Sequence, residues 1–159
     1  MEFEQMYRSQ HRAVAAAAWA ICRDDARAEE CAQEAFARAY ARWRRLGRSG
    51  YAVAWVHRVA LNLAVDEVRR DARARRPQVI ATVGHSPALP PSTDGDLWLV
   101  EQLRRLPRRQ REAVYLRVVA DLPEEACAAA MGVSAGSVKT HRSRGLARLR
   151  QLLHATEED

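Results

Sequence analysis

Between Ser134 and Arg144, the side chains of Ser137, Thr140, His141 and Arg144 recur at i, i+3, i+4 and i+7, with Lys139 and Ser143 beside them. On a helix those four positions share one face. Hydroxyl, imidazole and guanidinium groups in a row can hydrogen-bond base edges in the DNA major groove and phosphate oxygens. Arg144 and Lys139 add the salt-dependent attraction of a polyanion. A second cluster has the opposite sign: Glu30, Gln33 and Glu34 also share one helical face, and suit a basic protein surface. In a predominantly basic chain such a face is a poor match for DNA. Its charges alone fit a solvated face equally well.

Catalysis has no comparable constellation. His11, His57, His85, His141 and His154 lack metal-ligand spacing, and His57 and Asp66 read as chance neighbours on one helix rather than an acid–base pair. There is no phosphate-cradling glycine loop of Walker type and no carboxylate cluster to hold magnesium. The expectation is a protein that is not an enzyme and uses no cofactor or metal.

The elements that must position these clusters read as helices throughout. Of 159 residues, 48% are hydrophobic but only 6% aromatic, with alanine filling much of the remainder, which favours helix over strand. The net charge of +6 suits a polyanionic partner. Lys139 is the one lysine among 26 basic residues, a bias that reflects a GC-rich genome and carries little functional weight. Cys22, Cys31 and Cys127 are odd in number and scattered, as reduced buried thiols would be. No apolar signal core or membrane-length run is present, so a soluble, cytoplasmic protein without membrane insertion is expected.

Helical periodicity places a first helix over about 2–22, burying Phe3, Met6, Tyr7, Val14, Ala17, Ala18 and Ile21. Asp24-Asp25 can cap a second, over about 26–46, with Ala28, Cys31, Ala32, Ala35, Phe36, Ala39 and Trp43 inward. After Gly47-Arg48-Ser49-Gly50 a third, over about 52–75, buries Trp55, Val56, Val59, Ala60 and Leu63. Residues 77–95 carry four of the six prolines and no charge before Asp94, as a linker would. Fully extended it would reach at most about 65 Å, near two duplex turns of about 34 Å each. Four more helices follow, over 96–106, 108–120, 123–131 and 134–153. Leu97, Val100, Leu103 and Leu106 form one stripe, and Val114, Tyr115, Val118 and Val119 the next. Pro123 suits a first helical position, Gly132 a tight turn and Ser134 a cap. The last two helices form a helix-turn-helix, with Val138, Leu146, Leu149 and Leu152 toward the core. The fold class is therefore all-α: a three-helix N-terminal bundle (1–76), a flexible linker (77–95), and a four-helix domain with a helix-turn-helix (96–159).

The segments Leu106–Arg111, Glu125, Gly132-Val133-Ser134, Gly136–Lys139 and Leu146–Arg150 resemble the promoter-reading C-terminal domain of bacterial sigma factors. Response-regulator output domains fit Val138–Ser143 equally well, so this half alone leaves a stand-alone helix-turn-helix regulator open. Glu29-Glu30, Cys31-Ala32, Gln33-Glu34 and Phe36 resemble the sigma helix that grips the polymerase clamp, which implies polymerase binding through Glu29, Glu30, Gln33 and Glu34. Ala54–Asp66 with Arg69-Arg70 is similar to the sigma helix that opens and reads the melted promoter element. The resemblance assigns Tyr51, Arg58, Asn62, Arg69, Arg70 and Arg73 to phosphates and an extruded base. It assigns Ser134, Ser137, Lys139, Thr140, His141, Ser143 and Arg144 to upstream duplex. Trp55 reads as core, and Asn62 could instead satisfy local backbone. The sequence departs from the family at Ala52, where an aromatic is frequent, and at Glu124, Ala126 and Arg142. Two domains with a linker but no third domain between them resemble the extracytoplasmic-function class. The resemblance implies core RNA polymerase and promoter DNA as partners, and allows for an anti-sigma protein to which no residue testifies.

Overall fold

The computed structural model describes residues 1–74 and 94–158. Helices α1 (Phe3–Cys22), α2 (Asp25–Ala41) and α4 (Ala52–Arg73) form the N-terminal bundle, with a single turn, α3 (Trp43–Leu46), between the last two. The C-terminal half contains α5 (Asp94–Gln102), α6 (Arg108–Val114), α7 (Glu124–Met131) and α8 (Ala135–Glu157). A 3-10 turn, Leu103–Arg105, follows α5, and a π turn, Tyr115–Val119, continues α6. No strand occurs among the described residues. Of the expected linker only Asp94 and Gly95 fall within them, and they open α5.

Local chemistry sets most of the boundaries. The Asp24 carboxylate accepts from the Arg27 N–H at 2.9 Å and starts α2. The helix expected over 26–46 instead breaks at Arg42, whose N–H turns back to the Ala39 carbonyl, leaving α3 separate. Gly132 ends α7 at φ 69, where the Val133 N–H bonds the Ala128 carbonyl in a Schellman closure. Pro123 stands one residue before α7 rather than in its first turn. Ser134 caps α8, its hydroxyl accepting from the Ser137 N–H at 3.1 Å.

One stripe was misplaced. Val118 is exposed and Leu116 is buried, the reverse of an uninterrupted α pattern. The Ala120 N–H bonds the Tyr115 carbonyl five residues back, and this wider turn rotates everything after Tyr115.

Alanines bring α1, α2 and α4 close. Met6, Val14, Ala32, Ala35, Phe36, Ala39, Val56 and Ala60 form one core cluster. A second and larger cluster does not stay within a domain: Ala18, Ile21, Leu61, Ala64, Val65 and Val68 join Val100, Leu103, Tyr115, Leu116, Met131 and Leu149. The halves therefore share a core, with α5 against α1 and α6 and α7 against α4. Burying each large aliphatic side chain there contributes roughly 1.5–3 kcal/mol.

Candidate nucleic-acid and polymerase interfaces

Helix α8 sits on α6 through Gly145. A Cβ there would lie 2.6 Å from Val114 Cγ2 and 3.3 Å from the Gln110 carbonyl oxygen, so only glycine allows the approach. That seat buries Val138 and Leu149 and turns the polar face outward. Ser134, Lys139, Thr140, Ser143 and Arg144 are exposed, and Ser137 and His141 are half-buried. Thr140 bonds its own helix at the Gly136 carbonyl, 3.1 Å away. Lys139 lies 3.7 Å from Glu124 at the edge of α7. Arg144 forms no ion pair among the described residues.

On α2, Glu30, Gln33 and Glu34 are exposed and Glu29 is half-buried. Glu29 is held between His11 Nε2 at 2.8 Å and the Gln33 amide at 3.1 Å. Glu34 accepts from Arg38 one turn on, at 2.8 Å. Glu30, Gln33 and Glu34 border an open groove whose far wall is Leu63 and Glu67 of α4. The face continues past the residues singled out from sequence, through Ala37 to Tyr40, which is 67% exposed. Arg27 and Asp71 pair across α2 and α4, fixing the groove's end.

The residues assigned to melted DNA divide into three places on and around α4. Tyr51, just before the helix, borders a pocket with Arg42, Arg44, Arg45, Leu46 and Trp55. Trp55 is half-buried, packed against both core clusters on one side, and the Arg42 guanidinium stands over its ring at 5.6 Å. These arginines were missed, although Arg42-Trp43-Arg44-Arg45 is a visible basic–aromatic run. A neighbouring cleft shares Arg42 and Trp55 and continues to Arg38, Arg58 and Arg108. At the far end Arg69, Arg70 and Arg73 are exposed, Arg70 within 3.3 Å of Glu67.

The middle of α4 is partly covered by α6, with Arg58 and Asn62 still lining the cleft shared with Arg42 and Trp55. Arg58 keeps 18% of its side-chain exposure and lies 3.6 Å from Glu112, which is fully buried. Asn62 does not satisfy local backbone: its Oδ1 accepts from Arg111 Nη2 at 3.2 Å. His57 is buried between the Tyr115 hydroxyl, 2.7 Å from Nδ1, and Gln10 Oε1, 3.0 Å from Nε2. Burial lowers His57 to about 4 and raises the Tyr115 hydroxyl well above its ordinary value. Arg111 is lowered to about 10, first by burial and then by repulsion from Arg69. No group of three or more His, Cys, Asp or Glu able to hold a metal ion occurs among the described residues. The three cysteines are free and buried. No described helix is long and apolar enough to cross a membrane.

A helix-turn-helix with an open polar face, joined to a bundle carrying an acidic helix and an arginine-lined track, has the layout of a two-domain transcription initiation factor. Residues 6–74 match the family Sigma-70 region 2, and residues 96–149 match Sigma-70, region 4. The chain belongs to the sigma factors of bacterial RNA polymerase, in their extracytoplasmic-function class. It is 33% identical to the RNA polymerase sigma-E factor of Streptomyces coelicolor, over 100% of this chain and 90% of that one. It is 29% identical to the ECF RNA polymerase sigma factor SigM of Mycobacterium tuberculosis, over 95% of this chain and 76% of that one. The sigma factor RpoE from Bartonella quintana, solved in complex with the anti-sigma factor NepR, superposes with a TM-score of 0.65. That likeness covers 96% of both chains at 26% identity.

Proposed function

We propose that this sigma factor binds core polymerase through Glu29, Glu30, Gln33 and Glu34 of α2 and reads promoter DNA at two separate places. Residues 1–76 hold the polymerase and the melted strand, the latter through Tyr51, Arg58, Asn62, Arg69, Arg70 and Arg73. Residues 96–159 read upstream duplex with the α8 face, Ser134, Ser137, Lys139, Thr140, His141, Ser143 and Arg144. The protein acts in the cytoplasm as an initiation factor without catalysis of its own, and an anti-sigma protein is a further partner. The neighbour solved with NepR supports that last assignment.

The observation that carries the reading is the separation of charge between two solvent-facing helices. The acidic face of α2 is open to a basic protein, and the hydroxyl and basic face of α8 is open to a polyanion. Two contacts joined through one chain gain from effective concentration, so each can be weak alone.

Reconstitution with core polymerase tests this. Wild type should co-purify with core and direct runoff transcription from specific promoters. Glu30→Lys combined with Gln33→Ala should weaken core binding by about 10-fold or more, since a like charge then faces the basic partner. Unchanged core binding by a folded double variant would place the clamp contact elsewhere.

A further inference from the structure

We propose that Cys22 and Cys31 are a site of oxidation by hydrogen peroxide, and that the disulfide they form between α1 and α2 weakens the polymerase-binding face. The second half of the inference rests on the polymerase-binding role given to α2 above.

The two thiols meet where three helices converge. Cys22 is the last residue of α1 and Cys31 lies in the second turn of α2, with only Arg23 and Asp24 between the helices. Arg23 takes the left-handed region at φ 55, so the chain reverses within those two residues. Both cysteines pack on the same stretch of α4. Cys22 Sγ donates to the Ala64 carbonyl at 3.7 Å, and Cys31 borders the groove beside Leu63 and Glu67. They share a core cluster but differ in surroundings. A hydrogen bond from Cys22 lowers Cys31 below the ordinary thiol value, with help from Arg27, and outweighs burial and the repulsion of Glu67 and Glu30. That bond, and then burial, raise Cys22 well above the ordinary value. Cys31 is thus the attacking thiolate at the open groove, and Cys22 stands behind it as the resolving thiol. Cys127 lies apart in the C-terminal half, where burial raises it and its thiol donates to the Leu122 carbonyl at 3.7 Å.

The chemistry balances with peroxide as the oxidant. The Cys31 thiolate attacks one peroxide oxygen, the O–O bond breaks, and a Cys31 sulfenic acid and hydroxide form. The proton released when Cys31 ionised turns that hydroxide into water. The Cys22 sulfur then attacks the Cys31 sulfur. The S–S bond forms, the S–O bond breaks, and the leaving hydroxide takes the Cys22 proton as a second water. The thiol pair has lost two electrons and peroxide has gained them. An S–S bond of about 2.05 Å is far shorter than any contact between separate thiols, so closing it draws the second turn of α2 toward α1. Glu30 adjoins Cys31 on that turn, and Gln33 and Glu34 border the same groove. Their side chains are carried with the backbone, out of register with a rigid partner. Thiol exchange reverses the bond in a reducing compartment.

The test uses the full reduced chain, treated with hydrogen peroxide and then with catalase before core polymerase is added. Thiol alkylation and peptide mass spectrometry should find Cys22 joined to Cys31 and Cys127 alkylated. The oxidised protein, folded by circular dichroism, should bind core about 10-fold more weakly, the worth of one lost charged contact. Dithiothreitol should restore the binding. Cys22→Ala should form no disulfide and keep its core binding through the same treatment. If peroxide leaves Cys22 and Cys31 both open to alkylation, or if the disulfide leaves core affinity unchanged, the proposal is overturned. Glu30→Lys with Gln33→Ala, tested reduced, separates the two ideas. Loss of core binding in that double variant, with no effect of the disulfide, keeps the proposed function and removes the dithiol's role. A reversible disulfide effect beside a double variant that binds normally keeps the dithiol's role and moves the polymerase contact off those two side chains.

Discussion

The two helices proposed to read DNA are of similar length, 22 residues in α4 and 23 in α8, yet they are covered to different extents. Along α8 the polar face meets solvent, and its inward residues are few: Val138, Gly145 and Leu149. More of α4 is buried, because α1 and α2 cover one side and α6 and α7 much of the other, leaving Asp66, Arg69, Arg70 and Arg73 exposed toward its end. A reading helix can be held ready by resting on its own domain alone. One packed partly against another domain offers a ligand only the part left uncovered. The difference teaches that residue type establishes what a face can bind, whereas packing decides when it can.

The largest effect expected on this contrast comes from acid acting on the covered surface. His57 is neutral where it is buried, lowered to about 4, but returns to about 6.5 in any state that admits water to it. The closed state therefore binds fewer protons than the open one, so its stability is full above about 6.5 and falls with pH until about 4. The difference corresponds to about 3 kcal/mol, of which about 2 should be lost by pH 5. The Tyr115 hydroxyl and Gln10 are the groups bonded to the ring. Scattering and urea midpoints at pH 7.5 and 5 should show expansion and a lower midpoint in wild type, with a flatter profile for His57→Gln. Equal profiles for the two would remove His57 as the cause.

Gly145→Ala bears on the open surface through its seat. The added methyl meets Val114 and the Gln110 backbone, and overpacking of this kind costs about 1–3 kcal/mol. Thermal melting should shift down, and upstream duplex affinity should fall as α8 is displaced. A normal melting temperature would mean that α6 and α8 can move apart freely.

Arg144→Glu should weaken duplex binding by about 10- to 100-fold, the worth of one good contact, and flatten its salt dependence. Core polymerase binding should stay at the wild-type level, measured by co-purification. Loss of core binding with duplex affinity intact would invert the division of labour. Smallest is Ser134→Ala, which removes the cap accepted by the Ser137 N–H and costs about 1 kcal/mol. It should lower the melting temperature by a few degrees and leave single-strand binding untouched.

Much of this architecture could be read from local pattern. Asp24 and Ser134 cap the helices that follow them, Gly132 closes α7, and the stripes of α1 and α2 point inward where the 3.6-residue period places them. Those features depend on neighbours within a few residues. The closed seam does not. His57 read only as a chance neighbour of Asp66 and Asn62 as a base or backbone contact, whereas their partners are Tyr115 and Arg111, 58 and 49 residues away. Periodicity identifies an apolar face but not which other face will cover it. The π turn at Tyr115 was equally hidden, since Val118 and Val119 suit either register until the Ala120 N–H chooses its acceptor. The arginine pocket around Trp55 was legible in Arg42–Arg45 and was passed over because Trp55 was taken for core.

The core cluster shared by the halves also sets the terms on which this molecule can persist in a cell. Parting them uncovers Leu61, Val65 and Val68 on one side and Val100, Leu103 and Met131 on the other. Contiguous apolar surface of this kind is adhesive, and local opening is where proteases cut. An opened chain without a partner would thus be exposed to proteolysis, whereas one already docked would have those side chains shielded. Resistance to proteolysis and readiness to open would then be set by the same apolar surface.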